Sequence, residues 1–152
     1  MELKLVPVTK DNWRQAAFLT TNPERKICLD EQWIACNAFS LLQSHFDSDW
    51  DCRLMMDGEK AVGFLFYGYW REQNRYLLCR YMIDVKYQGK GYGAAFLPIS
   101  VELIRSQYGC EDVYLTVSDD NARAISLYKK AGFVPTEEMD EDERVYVLKE
   151  RK

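Results

Sequence analysis

The stretch Gln88-Gly89-Lys90-Gly91-Tyr92-Gly93-Ala94 stands between a run of strand formers, Tyr76 to Val85, and an apolar-striped run that reaches Tyr108. Glycines at 89, 91 and 93 let the main chain turn sharply and approach a ligand closely. The N–H groups that open the following helix, with the positive end of its dipole, form an anion site, so the expected guest is a phosphate or pyrophosphate. Lys90 adds positive charge beside it. A glycine-rich turn without a ligand is the plain alternative, but three glycines in five residues exceed what one turn needs. The spacing Gly89-x-Gly91-x-x-Ala94 also fits the dinucleotide fingerprint. That motif wants an acidic residue at the end of the next strand to hold a ribose, whereas Glu111 and Asp112 precede that strand. No Gly-Lys-Ser/Thr is present for a Walker loop.

Downstream, Leu97, Val101, Ile104 and Tyr108 form one helical stripe that Gly109 closes, and Pro98 within it predicts a kink through loss of the bond to the Ala94 carbonyl. Val113 to Val117 reads as a strand, Asn121 to Ala131 as a helix ended by Gly132, and Phe133 onward with Val145 to Lys149 as a final strand pair. Upstream, Glu2 to Val8 alternates as a strand whose Pro7 suits an edge, and Thr9 and Asp11 offer caps for a short helix carrying Trp13, Ala16, Ala17 and Phe18. Asp30 is placed to cap a second helix, on which Ile34, Ala38, Leu41 and His45 share a core-facing stripe. Cys52 to Met56, the turn Asp57-Gly58 and Ala61 to Trp70 read as a β-hairpin, with Tyr76 to Val85 as a third neighbouring strand. Strand, helix, strand, helix order from 76 to 131 requires at least one parallel crossover. The fold class is therefore α/β or α+β, a mixed sheet with helices on its faces.

At 152 residues, 47% apolar and 14% aromatic, the chain predicts a single domain over 1–152. Twenty Lys plus Arg against twenty-four Asp plus Glu leave a net charge of −4, which argues against a cationic face for nucleic acid. The longest apolar run, Ala61 to Trp70, is broken by Gly63 and Gly68 and spans about half of a bilayer, and the first residues lack a leader pattern. These features predict a soluble cytoplasmic protein with no nucleic-acid or membrane partner. Cysteines at 28, 36, 52, 79 and 110 form no Cys-x-x-Cys pair and have a single histidine, His45, for company, so neither a disulfide framework nor a metal centre is expected.

Gln88-x-x-Gly91-x-Gly93 after Tyr81-Met82-Ile83, followed by Asn121-x-x-Ala124-x-x-x-Tyr128 and Ala131-Gly132-Phe133, resembles the GNAT superfamily of acetyl-CoA-dependent N-acetyltransferases over nearly the whole chain. Asn37-Ala38-Phe39-Ser40 and Cys79-Arg80-Tyr81-Met82-Ile83-Asp84 resemble, more narrowly, bacterial members described as spermidine/spermine or diamine acetyltransferases. The resemblance implies a mostly antiparallel sheet of six to seven strands with about four helices, its central parallel strands splayed. It implies acetyl-CoA as co-substrate, no metal, a small-molecule amine as acceptor, and it is compatible with a homodimer. Backbone groups of Tyr81, Met82 and Ile83 would bind pantetheine, with the Tyr81 amide polarising the thioester carbonyl. Gln88, Gly89, Lys90, Gly91, Tyr92, Gly93 and Ala94 would cradle the pyrophosphate, and Asn121 would hold the pantetheine arm or its loop. Tyr128 would lie beside the sulfur.

The implied chemistry explains those groups. An alkylamine with pKa around 10.4 must lose a proton before it attacks, and a departing thiolate must gain one, which a tyrosine with pKa near 10 can supply. Tyr128 is the candidate acid, although Ala124, Tyr128 and Ala131 also follow the spacing of a packed helix face. Glu72 and Asp84, flanking the strand that approaches the thioester, are the candidate bases. The compared polyamine enzymes often carry an acidic residue where this chain has Cys79, and Glu31, Trp33 and Asn37 are candidates for the acceptor pocket. The acidic run Glu137 to Glu143 attracts a polycation or simply solvates a turn. Protein N-terminal, lysine or amino-acid amines are the alternative acceptors, and a CoA-binding sensor without turnover is the alternative activity.

Overall fold

The computed structural model describes residues 1–22, 24 and 36–150, so the expected cap Asp30, Ile34 of the second helix, and the pocket candidates Glu31 and Trp33 lie outside the described residues. Strand β1 (Leu3–Pro7) leads to helix α1 (Trp13–Phe18) and helix α2 (Asn37–Phe46). Strands β2 (Trp50–Asp57), β3 (Lys60–Trp70) and β4 (Arg75–Ile83) follow, then helix α3 (Tyr92–Tyr108), strand β5 (Val113–Ser118), helix α4 (Ala122–Lys130) and strands β6 (Val134–Asp140) and β7 (Glu143–Leu148). The seven strands form one mixed sheet in the order β1-β2-β3-β4-β5-β7-β6, and β4 with β5 is its one parallel pair. Pro7 sits on edge strand β1, where its missing N–H costs no ladder bond.

The Thr9 and Asp11 cap for α1 is corrected: Asn12 is the cap position, and its side chain turns back to accept from the Thr9 amide and donate to the Pro7 carbonyl. Helix α3 continues through Pro98, because the bond removed is only one in seventeen residues of helix packed by Phe96, Leu97, Val101 and Ile104. These side chains meet Leu65, Tyr67, Leu115 and Val117 from the sheet in one apolar cluster, each worth about 1.5–3 kcal/mol of burial. A second cluster, with Ala16, Leu54, Phe64, Phe66 and Met82, lies under α1 and α2 on the other face. Among the described residues no helix is long and apolar enough to cross a membrane.

Two irregularities in β4 shape the centre of the sheet. Its register with β3 shifts between Phe66↔Arg80 and Tyr67↔Leu78, which leaves Cys79 as a bulged residue with no partner opposite. Its pairing with β5 is confined to Leu77↔Tyr114, so the two parallel strands part company beyond that point. Side chains on either side of Cys79, Leu78 and Tyr81, both join the α3-side cluster, and the bulge absorbs the break in alternation.

Candidate active site

A cleft of about 370 Å³ opens where β4 and β5 separate. Its walls are Tyr81, Met82 and Ile83 of β4, the loop residues Gln88, Gly89, Gly91, Tyr92, Gly93 and Ala94, and Asn121 and Tyr128 at the two ends of α4. Nearly every residue expected at the site therefore meets in one place. Lys90 is the exception within the loop: its ammonium lies 5.4 Å from the centre of the Tyr87 ring and its side chain is not part of the wall.

The loop has the geometry of an anion cradle. Gly89 (φ +74°) and Gly91 (φ +86°) occupy the left-handed region that disfavours a side chain, and a Cβ on either would meet nothing within 4 Å. The space beside the backbone is open, as close approach of a phosphate requires. Gly91 is the N-cap of α3, so the helix's first N–H groups are directed at that space. The residues fit the pyrophosphate of a CoA molecule.

Side chains brace the cradle from three directions. The Tyr81 hydroxyl donates to the Gly93 carbonyl (2.6 Å), and the Tyr92 hydroxyl donates to Asp57 Oδ2 (2.6 Å) in the β2–β3 turn. Gln88 Nε2 donates to the Ile83 carbonyl (3.1 Å), so that carbonyl, expected to be open for pantetheine, is already engaged. Gln88 Oε1 accepts from Arg123 Nη1 (3.3 Å), which brings to the cleft a guanidinium that the sequence motifs did not single out. A lone Arg in the first turn of a helix carries no periodic signal, and only the fold of α4 over the loop places it there. Asn121 accepts from the Ala124 amide (3.2 Å) as the cap of α4, leaving its NH₂ group for the cleft.

At the other end of α4, Tyr128 is buried, with its ring edge-on to Phe133 and its hydroxyl without a hydrogen-bond partner among the described residues. Burial, with a smaller contribution from the negative charge of Glu143, pushes its pKa up to about 12. The hydroxyl therefore keeps its proton at any physiological pH and can donate it.

The candidate bases do not gather here. Glu72 is exposed in a single helical turn before β4, accepting from the Trp70 indole (3.3 Å). At about 3.3 Å rise per residue the strand from Arg75 to Cys79 alone spans roughly 13 Å, so the structure places Glu72 at the far end of β4 from the cleft. Asp84 is buried and its carboxylate accepts from the backbone N–H groups of Thr20 (3.0 Å) and Lys86 (3.0 Å), a capping role at the end of β4. Asn37 is packed, donating to the Ala16 carbonyl (2.8 Å) and accepting from Arg80 Nε (2.8 Å). Part of the acidic hairpin is also spent, since Glu138 pairs with Arg75 (2.7 Å).

Comparison with known proteins agrees with this geometry. The profile of the family described as "Acetyltransferase (GNAT) family" matches residues 12–133. Spermine/spermidine N(1)-acetyltransferase of Bacillus subtilis (strain 168) is 28% identical, the alignment covering 99% of each chain. Among solved structures, the PaiA N-acetyltransferase of Thermoplasma acidophilum, in complex with coenzyme A, superposes with TM-score 0.73 at 17% identity over 98% of this chain and 99% of that one. The spermidine N-acetyltransferase of Vibrio cholerae, in complex with CoA and spermine, gives 0.72 at 18% identity over 98% and 96%. These two similarities show a shared fold. With the cradle, the splayed strands and the family profile taken together, the chain belongs to the acetyltransferase (GNAT) family and is an acetyl-CoA-dependent N-acetyltransferase.

Proposed function

We propose that the chain moves the acetyl group of acetyl-CoA to a primary amine of a small cation, a polyamine or diamine. The observation that carries this reading is the single cleft whose one end is the glycine cradle and whose other end is the Tyr128 hydroxyl, both opening on the gap between β4 and β5. In it, Gln88, Gly89, Gly91, Tyr92, Gly93 and Ala94 hold the pyrophosphate with help from Arg123. Backbone groups of Tyr81 and Met82 line the pantetheine arm beside Asn121. The Tyr81 amide polarises the thioester carbonyl, and Tyr128 gives its proton to the departing sulfur. Glu72 has no part in the reading because of its distance from the cleft, and Lys90 contributes only through its field.

The polyamine preference is supported by the relative named as a spermine/spermidine acetyltransferase, by the net charge of −4 and by the acidic β6–β7 hairpin. The reading places the enzyme in a reducing cytoplasm, where the described cysteines, all unpaired, stay thiols. The test is CoA release from acetyl-CoA with purified protein against spermidine, putrescine, glutamate and a peptide N-terminus. Spermidine should show the highest kcat/KM, and its lead over glutamate should narrow as salt screens the attraction. Equal kcat/KM for spermidine and glutamate at all salt concentrations overturns the cationic-acceptor reading.

A further inference from the structure

We propose that Glu143 is the residue that takes the proton from the acceptor amine, working from the face of the sheet opposite Tyr128. The proposal rests on the acetyl-transfer reading above and supplies the base that Glu72 and Asp84 do not.

Strand β5 alternates strictly. Val113, Leu115 and Val117 are buried on the side of α3 and α4, and Tyr114, Thr116 and Ser118 face the other way. Glu143 stands opposite Ser118 in the β5–β7 register, and its Oε2 accepts from Thr116 Oγ1 at 2.5 Å. The carboxylate is thereby held to the face of Thr116. Counting in parallel from the paired point Leu77↔Tyr114 brings Thr116 level with Cys79, the bulged residue of β4, across the gap. Glu143 thus reaches the gap at the bulge, where the strands have no ladder between them.

The surroundings agree. Cys79 is exposed, and desolvation first and the charge of Glu143 second, with Arg80 opposing and Asp140 adding least, push its pKa up to about 11. The charge of Glu143 is also felt by Tyr128 on the far side of the sheet. The titratable and polar groups tied to Glu143 are Thr116 of β5 by its hydrogen bond, Asp140 of β6 by strand register, and Cys79 of β4 and Tyr128 of α4, both of which feel its charge; Arg80 of β4 acts on the same Cys79 thiol. Three other carboxylates are engaged, Glu138 by Arg75, Asp119 by Arg144 and Asp84 by backbone amides, which leaves Asp140 as the rival to Glu143 on this hairpin. The single hydrogen-bond partner of the Glu143 side chain among the described residues is a neutral hydroxyl, which holds the carboxylate in place and leaves its remaining lone pairs for an ammonium.

In the transfer, the Glu143 carboxylate accepts one proton from R–NH₃⁺, and the freed nitrogen lone pair forms the C–N bond while the C–S bond breaks. The sulfur takes the Tyr128 proton. The second nitrogen proton returns to Tyr128 through water, and Glu143 releases its own to solvent, so one H⁺ leaves per turnover.

The experiment compares wild type, Glu143→Gln, Glu143→Asp and Asp140→Asn at saturating acetyl-CoA and amine from pH 7 to 9, with the best acceptor of the panel above. Glu143→Gln should keep its acetyl-CoA Kd and lose on the order of 10²-fold in kcat at pH 7. Its deficit should shrink about tenfold per pH unit, because an amine of pKa about 10.4 then supplies its own free base. Glu143→Asp, which keeps the charge and shortens the reach, should lower kcat without adding pH dependence, and it carries the test if the Gln variant does not fold. A pH-independent deficit, a change in KM alone, or the pH-dependent loss appearing in Asp140→Asn instead overturns the proposal. A wild type that acetylates no amine overturns the acetyl-transfer reading together with it, an outcome distinct from full wild-type turnover with an unaffected Glu143→Gln.

Discussion

The hydroxyl of Tyr81, on the divergent end of β4, donates to the carbonyl of Gly93 in the first turn of α3, 2.6 Å away. One bond thus joins the strand expected to line the thioester to the helix expected to hold the pyrophosphate, and burial raises the Tyr81 pKa so that the donor keeps its proton. The distance between the two halves of the cleft is set by this contact and by Tyr92 on Asp57 from the other side.

Tyr81→Phe removes that bond and leaves the backbone amide of residue 81 untouched. The expected result is about 1 kcal/mol less stability, from a carbonyl left with poorer partners, and a several-fold weaker acetyl-CoA Kd. Because the amide remains, kcat at saturation should change little. Denaturant melts and calorimetry on the pair check both parts, and a large kcat loss at unchanged Kd contradicts the bracing role.

Gly91→Ala and Gly91→Glu separate backbone strain from blockage. Both force a side chain into φ +86°, at a cost of roughly 1–2 kcal/mol in stability, although the Cβ itself meets nothing within 4 Å. The Ala variant should retain measurable acetyl-CoA binding. The Glu variant, filling the open space with a like charge, should show no binding by calorimetry while its circular dichroism stays that of a folded protein.

Arg123→Ala should weaken acetyl-CoA binding several-fold and flatten its salt dependence, since the guanidinium beside Gln88 is exposed and its attraction for phosphate is screened. Titrations at low and high salt read this directly. An unchanged salt slope removes Arg123 from the cradle.

Tyr128→Phe should keep acetyl-CoA affinity and cost on the order of 10²-fold in kcat with an acceptor for which chemistry limits turnover. With the hydroxyl's pKa up to about 12, the acid form persists far above neutrality, so no alkaline loss of rate below pH 10 should trace to this group. The stability sign follows from the same shift. The folded phenol holds its proton where the unfolded one, near 10, has lost it, so the contribution is fully present below pH 10 and disappears as pH rises toward 12. Melting temperatures of wild type should therefore fall more steeply than those of Tyr128→Phe between pH 10 and 11.

The strands, the glycine loop and the two motif-bearing helices are legible in the sequence because they rest on local chemistry. Alternation and periodicity report which side of an element meets the core, and Gly89, Gly91 and Gly109 mark turns that other residues enter only under strain. Asn121 and Tyr128 lie one helix length apart, and it is the resemblance to the GNAT superfamily, not their spacing, that pairs them with the cleft. The sequence by itself thus determined the fold class and the glycine cradle, and its resemblance to the GNAT superfamily named most of the residues that line the cleft.

Tertiary structure alone decided the rest, because it depends on strand register and on which faces the sheet presents. Glu72 precedes β4 and Cys79 lies within it, but only the register of β4 shows that one is remote and the other bulged at the gap. Glu143, Thr116 and Tyr128 belong to three separate elements, and no spacing along the chain joins them. Arg123 and Gln88 are thirty-five residues apart and meet only where α4 crosses the loop. Local preferences act over a turn or two of chain, whereas the charges and hydroxyls that make the gap reactive are brought together by long-range pairing of strands.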